Sequence, residues 1–441
     1  MPILLGVFLI LSVQAEPEPR TLEEWMERGR ERFVNGFTKE SVSAWTRAIE
    51  KDPAKVEGYL GRAAARRQSG DSAGAGEDLK KALQLAPDSP DALVEHGITA
   101  ERRGSLAVAK EDYDRALSID PGHVGALLNR GWLRRRQNRH KEAVEDFSRA
   151  AEAKSNDRRV ITSRAYAKMA LGNLDPQEEK GAGGEEAVQG ILTGGTIEWV
   201  KGALDDLNFL VERDPKNGSL AANRASVHIS LGNFTEAEQD LQRSIGLAPG
   251  FSGTHFELGR LLEYTGRFKE ALASFSRAVE LDPKLSRGYF GRANMKGRLG
   301  DDKGAIADLN KVIELSGKWT SAYFNRAMAR NRLKDHAGAA ADFNKVIELD
   351  DGKLVMAALC NRAWCKQTLG DPGAAKKDYA KAAGMAAETP WQLRYRAMAK
   401  ENIADLKGAV ADMQQALDKS AAGSSERAEI EKDLVRLRAK K

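Results

Sequence analysis

The sequence predicts an all-α protein, a stack of about eleven helical hairpins of roughly 34 residues each. Three periodic observations carry that expectation. Proline recurs at Pro53, Pro87 and Pro121, and again at Pro215, Pro249 and Pro283, each step within a set being 34. With that proline at position 32, position 8 is Gly or Ala in every unit, from Gly29 and Ala63 through to Ala363 and Ala397, and position 20 is Ser41 followed by ten alanines. Position 24 is large and apolar throughout, from Trp45 and Leu79 to Tyr379 and Met413. Small residues at 8 and 20 let two helices touch, and the bulky residue at 24 fills the space beside them. Few aromatics (6%) with abundant alanine and glycine suit close helix packing better than a sheet core.

In chain order, residues 1–15 read as a signal peptide. Pro2 to Val13 are nearly all apolar, Val13-Gln14-Ala15 offers small residues for cleavage, and acidic Glu16-Pro17-Glu18-Pro19 follows. About a dozen apolar residues fall short of the roughly 20 that span a bilayer, so export is expected, with tethering by an uncleaved segment as the alternative. Residues 16–21 are a short linker. Residues 22–172 hold repeats 1–4 and the first helix of repeat 5; residues 173–202 are an insertion in that repeat's turn, containing Gly181-Ala182-Gly183-Gly184 and Gly194-Gly195. A short helix is expected within it near Glu185 to Leu192. Residues 203–423 hold the second helix of repeat 5 and repeats 6–11, and 424–441 form a capping helix with Ile430, Leu434 and Leu437 on one face. Gly70, Gly104, Gly172, Gly232, Gly266, Gly300 and Gly370 end first helices, where a positive φ is wanted.

These positions make the chain similar to the tetratricopeptide repeat family over residues 22 to about 421. The resemblance implies a right-handed superhelical solenoid whose first helices line a concave groove through positions 2, 5, 6, 9, 12 and 13. Carried over, those positions give Asn129, Asn223, Asn325 and Asn361 at position 6, and Phe256, Phe290 and Phe324 at position 5. Position 9 contributes Trp132, Asn294, Met328 and Trp364, while Arg135 (position 12) and Arg136, Arg298 and Arg332 (position 13) form a basic set. The asparagine row has gaps at Glu95, Ser163, Glu257 and Gly291. An asparagine amide both donates and accepts, so a row of them can hold a peptide backbone irrespective of its side chains. The clamp by which chaperone-binding members of the family grip a carboxylate is not matched: Phe290 stands where a lysine belongs, and Ala357 and Asn361 where a Lys/Arg pair should be.

Position 7 is arginine in nine repeats and position 23 aspartate in nine, with both in eight; the seventh repeat has neither, carrying Leu258 and Ser274. That joint presence and absence predicts an Arg–Asp bridge within each hairpin. Much of the net charge of +5 then belongs to the scaffold. Cys360 and Cys365, five apart on one helix, point about 140° from each other and cannot pair. No phosphate-cradling, zinc-binding or nucleophile motif stands in a fitting context. The expectation is a non-catalytic scaffold with no cofactor, holding an extended segment or a helix of another protein. The alternative is nucleic-acid or polyanion binding through Arg134, Arg135, Arg136, Arg139 and Lys141 beside Trp132.

Overall fold

A computed structural model describes residues 18–171, 194–349, 354–421 and 424–440. The chain divides into two compact units, residues 1–168 and 169–441. Every regular element among the described residues is a helix. The first unit contains α1 (Leu22–Val34), α2 (Thr38–Lys51), α3 (Val56–Gln68), α4 (Ser72–Leu85), α5 (Pro90–Arg102), α6 (Leu106–Ile119), α7 (Val124–Arg136) and α8 (His140–Ala153), and α9 (Arg158–Leu171) begins in it and ends past its last residue. The second contains α10 (Gly194–Arg213), α11 (Gly218–Ser230), α12 (Phe234–Leu247), α13 (Ser252–Tyr264), α14 (Phe268–Leu281), α15 (Ser286–Arg298), α16 (Asp302–Leu315) and α17 (Thr320–Arg332). It continues with α18 (His336–Leu349), α19 (Val355–Thr368), α20 (Pro372–Ala383), α21 (Pro390–Asn402), α22 (Leu406–Lys419) and α23 (Ser425–Ala439). Within each unit consecutive helices pair as hairpins, and each hairpin packs on the next.

The hairpin turn is made by one residue. Gly70, Gly104, Gly232, Gly266, Gly300 and Gly370 all lie at φ between 75° and 89°, as does Gly36 at 81°. Asn138, Lys334 and Ala404 occupy the same position at φ 60°, 64° and 69°, a conformation that costs a residue with a Cβ roughly 1 kcal/mol or more. The following helix is started in several repeats by an aspartate: Asp71, Asp301, Asp335, Asp371 and Asp405 each accept from a backbone N–H three residues on, at 2.8–2.9 Å. Pro372 sits in the first turn behind Asp371.

The core is a size match between positions 8 and 24. A Cβ on Gly97 or Gly131 would come within 2.6 Å of Tyr113 or Phe147, and one on Gly259 within 2.7 Å of Phe275. Alanine takes the place where the partner is the slimmer Leu79, Leu241 or Leu309, and also beside Phe343 and Tyr379, and all of these side chains are buried. Two helix starts and ends differ in what they cover. α10 begins at Gly194, well ahead of residue 203 where the second helix of repeat 5 was expected, so Gly194-Gly195 open a helix rather than lie in a loop. Its Val200, Ala203, Leu207, Leu210 and Val211 are buried at helical spacing, which extends the apolar face back beyond the repeat. α23 lays Ile430, Leu434 and Leu437 against Leu393, Ala397, Ala409 and Met413, closing the apolar edge of the last hairpin. The first 17 residues and the segment around Glu185 to Leu192 lie outside the described residues. No helix among the described residues is long and apolar enough to cross a membrane.

Because Ala404 holds a left-handed turn without being glycine, Ala404→Gly is expected to raise the unfolding free energy by about 1 kcal/mol. Urea titration of the full chain measures it, and Gly370→Ala should shift the midpoint the opposite way.

Candidate interaction surface

The arginine at position 7 does more than bridge its hairpin. Arg62, Arg130, Arg224, Arg292, Arg326, Arg362 and Arg396 each donate from Nε and Nη2 to the two oxygens of the aspartate sixteen residues on, at 2.6–3.1 Å. In Arg62, Arg130, Arg224, Arg326 and Arg362 the remaining Nη1 reaches back to position 25 of the preceding repeat, to Thr46, Asp114, Asn208, Asn310 and Asn344, whereas that of Arg396 donates to the Met385 carbonyl. Sequence reasoning weighed position 23 as the only partner and missed this third contact, although Asp and Asn recur at position 25. A second base, one turn along the same helix at position 11, donates to the same carboxylate: Arg66, Arg134, Lys296, Arg330, Lys366 and Lys400, at 2.7–2.8 Å. Asp78, Asp146, Asp308, Asp342, Asp378 and Asp412 thus each collect three charge-assisted hydrogen bonds while almost wholly buried. Burial alone would raise the Asp378 and Asp412 carboxyls, but hydrogen bonds from Arg362 and Lys366, and from Arg396 and Lys400, outweigh it and hold both below the usual carboxylate range.

The residues expected to face a groove divide into two groups. Phe256 and Phe290 are buried, at 9% and 6% exposure, so they belong to the core rather than to a binding surface. Their rings pack on other aromatics, Phe256 tilted against Phe275 at 5.8 Å and Phe290 stacked on Trp319 at 4.9 Å. Phe324 packs edge-on against Phe343 at 5.5 Å but keeps part of its ring in solvent. Asn129 and Asn361 donate to the carbonyls of Gly125 and Ala357 in their own helices. Asn325 donates to Asn294 Oδ1 of the preceding repeat at 2.9 Å, and Asn223 is half-buried. The gaps in the row have structural occupants: Glu95 pairs with Arg67, Glu257 with Arg260 at 2.8 Å, and a Cβ on Gly291 would meet Phe275 at 2.7 Å.

The basic set is also engaged. Arg135 is buried at 8% exposure and lies over Trp132 at 5.1 Å, while Trp132 in turn packs on Phe147. Arg136 pairs with Glu101 at 3.0 Å, Arg332 with Asp302 at 2.7 Å, and Arg298 lies over Phe268. Arg134 and Arg139 bond Asp146 and Glu142. Arg134, Arg136 and Arg139 of the basic run each have a carboxylate partner, although the pairs of Arg136 and Arg139 lie at the surface. What stays open is position 9 of the later repeats: Asn294, Met328 and Trp364, followed by Met398. Trp364 is 45% exposed, with His336 edge-on at 5.0 Å. Cys360 and Cys365 are fully buried thiols, and burial pushes Cys360 up to about 12.

Sequence models described as tetratricopeptide repeat match residues 26–90, 94–158, 219–251, 252–285, 320–352 and 357–389, together more than half of the chain. The chain belongs to the tetratricopeptide repeat family. Tetratricopeptide arrays are protein-interaction scaffolds. A tetratricopeptide repeat protein from Parabacteroides merdae is 22% identical, with 64% of this chain and 99% of that one aligned at a TM-score of 0.48. Yeast Tom70 is 15% identical, with 95% and 96% aligned at 0.46. A tetratricopeptide repeat and J domain-containing co-chaperone from Fusarium oxysporum f. sp. lycopersici is 39% identical over 51 residues, 12% of this chain. This chain spans 10% of the length of that curated relative.

Asp342 accepts from Arg326 and Arg330, so Asp342→Ala strands two half-buried guanidinium groups and is expected to cost about 3 kcal/mol. Asn310→Ala removes only the contact between repeats and should cost about 1 kcal/mol in the same urea titration. A carboxyl held below its unfolded value favours folding above that value, and its contribution is lost as pH falls through the folded one. Stability is therefore expected to hold from neutral pH to about 5 and to drop below about pH 4. In Asp378→Asn the acid limb of the pH–stability curve should become shallower.

Proposed function

We propose that this tetratricopeptide array is a non-catalytic scaffold that holds a segment of another protein against the first helices of repeats 8–11, through the row at position 9. The observation that carries the reading is Trp364. A large aromatic left 45% exposed in a half-buried row with Met328 and Met398 is the residue type and setting of a binding anchor. Met328 supplies an adaptable apolar contact, and the linked amides of Asn325 and Asn294 keep acceptor and donor capacity for a peptide backbone. Asn129, Asn361, Phe256 and Phe290 serve the scaffold. The co-chaperone named above shares the repeat, not a demonstrated partner, and so supports protein binding as the class of function only. Export is part of the proposal, on the strength of apolar Pro2 to Val13 and the small residues before Glu16. N-terminal sequencing of the chain from a secreting host tests that part.

A random peptide library displayed on phage and panned on the full chain tests the surface. Enriched peptides should carry an apolar residue, and Trp364→Ala should weaken them by roughly tenfold or more, with the unfolding midpoint nearly unchanged. Selected peptides that bind Trp364→Ala and Met328→Gln as well as the parent would place the binding face elsewhere.

A further inference from the structure

Repeat 3 departs from the Arg–Asp arrangement at both of its basic positions. Position 7 is His96 and position 11 is Ala100, where repeats 2, 4, 8, 9, 10 and 11 carry Arg and then Arg or Lys. His96 Nδ1 still meets Asp112 at 2.7 Å, so the buried carboxylate keeps a partner. The imidazole is too short to make the arginine's contact with the preceding repeat. The residue it would have met, at position 25 of repeat 2, is Lys80 instead of an amide, hydroxyl or carboxylate.

Two truncated bases leave a space. It is a cleft of about 170 Å³ between α4, α5 and α6, lined among others by Lys80, His96, Ala100, Arg103 and Val108. Arg103 makes no ion pair and no side-chain hydrogen bond among the described residues, and its Nη1 lies over Gly76, where a Cβ would come within 3.3 Å. Lys80 meets only Glu77 among the described residues, at 3.7 Å with both side chains well exposed, a pairing worth little.

The sign of the missing ligand follows from which charges reach the cleft. A cation could replace the lost guanidinium only by reaching Asp112, but His96 caps that carboxylate and Asp112 does not line the cleft. The charged groups that do line it, Lys80 and Arg103, are positive. An uncommitted guanidinium presents a planar fork that matches two oxygens of one anion. We propose that this cleft binds an oxyanionic group, phosphate or carboxylate, held by Arg103 and Lys80 in the volume vacated at positions 7 and 11. The site lies in the first unit, so it stands or falls independently of the position 9 row in the second.

The test uses the full chain with 13C-methyl alanine and valine, titrated with inorganic phosphate, acetate and a phosphoserine peptide at constant ionic strength. The Ala100 and Val108 methyl signals are expected to shift saturably with phosphate. Arg103→Gln, a change at an exposed side chain, should weaken that binding roughly tenfold or more. Ala100→Arg restores the base of the other repeats, and the Val108 signal should then no longer respond. Tighter binding of the peptide than of inorganic phosphate assigns the anion to a partner's side chain; the reverse order assigns a free anion, and acetate reports whether a carboxylate suffices. Shifts that never saturate with any of the three, or that are the same in Arg103→Gln, overturn the proposal.

Discussion

The arginine at position 7 is the constraint on which the rest of the array depends. A charged pair sunk among helices gains little net free energy, because losing water costs about what the attraction returns. Its effect is on alternatives. A buried aspartate that misses its arginine is an uncompensated charge, and every wrong pairing of helices creates one. In an array of near-identical hairpins, where any small-residue face fits any other moderately well, that penalty selects the correct helix pair. The third donor, reaching Asn310 or Asn344, extends the same selection to the neighbouring repeat. Repeat 7 shows the converse. Leu258 and Ser274 replace both members together, leaving no orphan, and Leu258 packs into the apolar clusters instead.

The second constraint is volume, and it explains why several groove candidates are not available to a partner. The Phe275 ring lies so close to two first helices that a Cβ at Gly259 or at Gly291 would come within 2.7 Å of it. Gly291 therefore breaks the asparagine row for reasons internal to the core. Phe256 and Phe290 are drawn inward in the same way, since an aromatic neighbour gives each ring more contact than water would. Where position 5 has less cover, as at Phe324, part of the ring remains at the surface.

The hairpins were legible in the sequence because a 34-residue period repeats each signal many times, and the intra-hairpin bridge because eight repeats carry both members and repeat 7 carries neither. Helix ends set by glycine were equally plain, whereas Lys334 and Ala404 in the same turn gave no local sign and only their register betrays them. The surface was much less legible. The register puts Phe290, at position 5, and Trp364, at position 9, on the same expected groove face of first helices, and nothing within either helix says that Trp319 covers one ring while the other, with His336 at its edge, stays 45% exposed. Nor does a run such as Arg134 to Arg139 reveal its own acceptors, because Asp146 and Glu142 lie on the next helix and Glu101 in the preceding repeat. Burial and pairing across hairpins are decided by neighbours, which a single period does not encode.

Function in such an array follows from departures, since residues that obey the period are spent on the period. Arginines at 7, bases at 11, aspartates at 23 and the small residues at 8 and 20 are committed to one another in repeat after repeat. Freedom to meet another molecule arises where a repeat gives up a member without another taking its contacts. At position 9 the scaffold makes no fixed demand, so Met328 and Trp364 stand where Asn294 stands one or two repeats earlier. At positions 7 and 11 of repeat 3 the demand exists and is only half met, by His96, leaving volume and uncommitted charge in one place. The two differ in kind: one is a surface the fold leaves open, the other a gap in a network that elsewhere is filled.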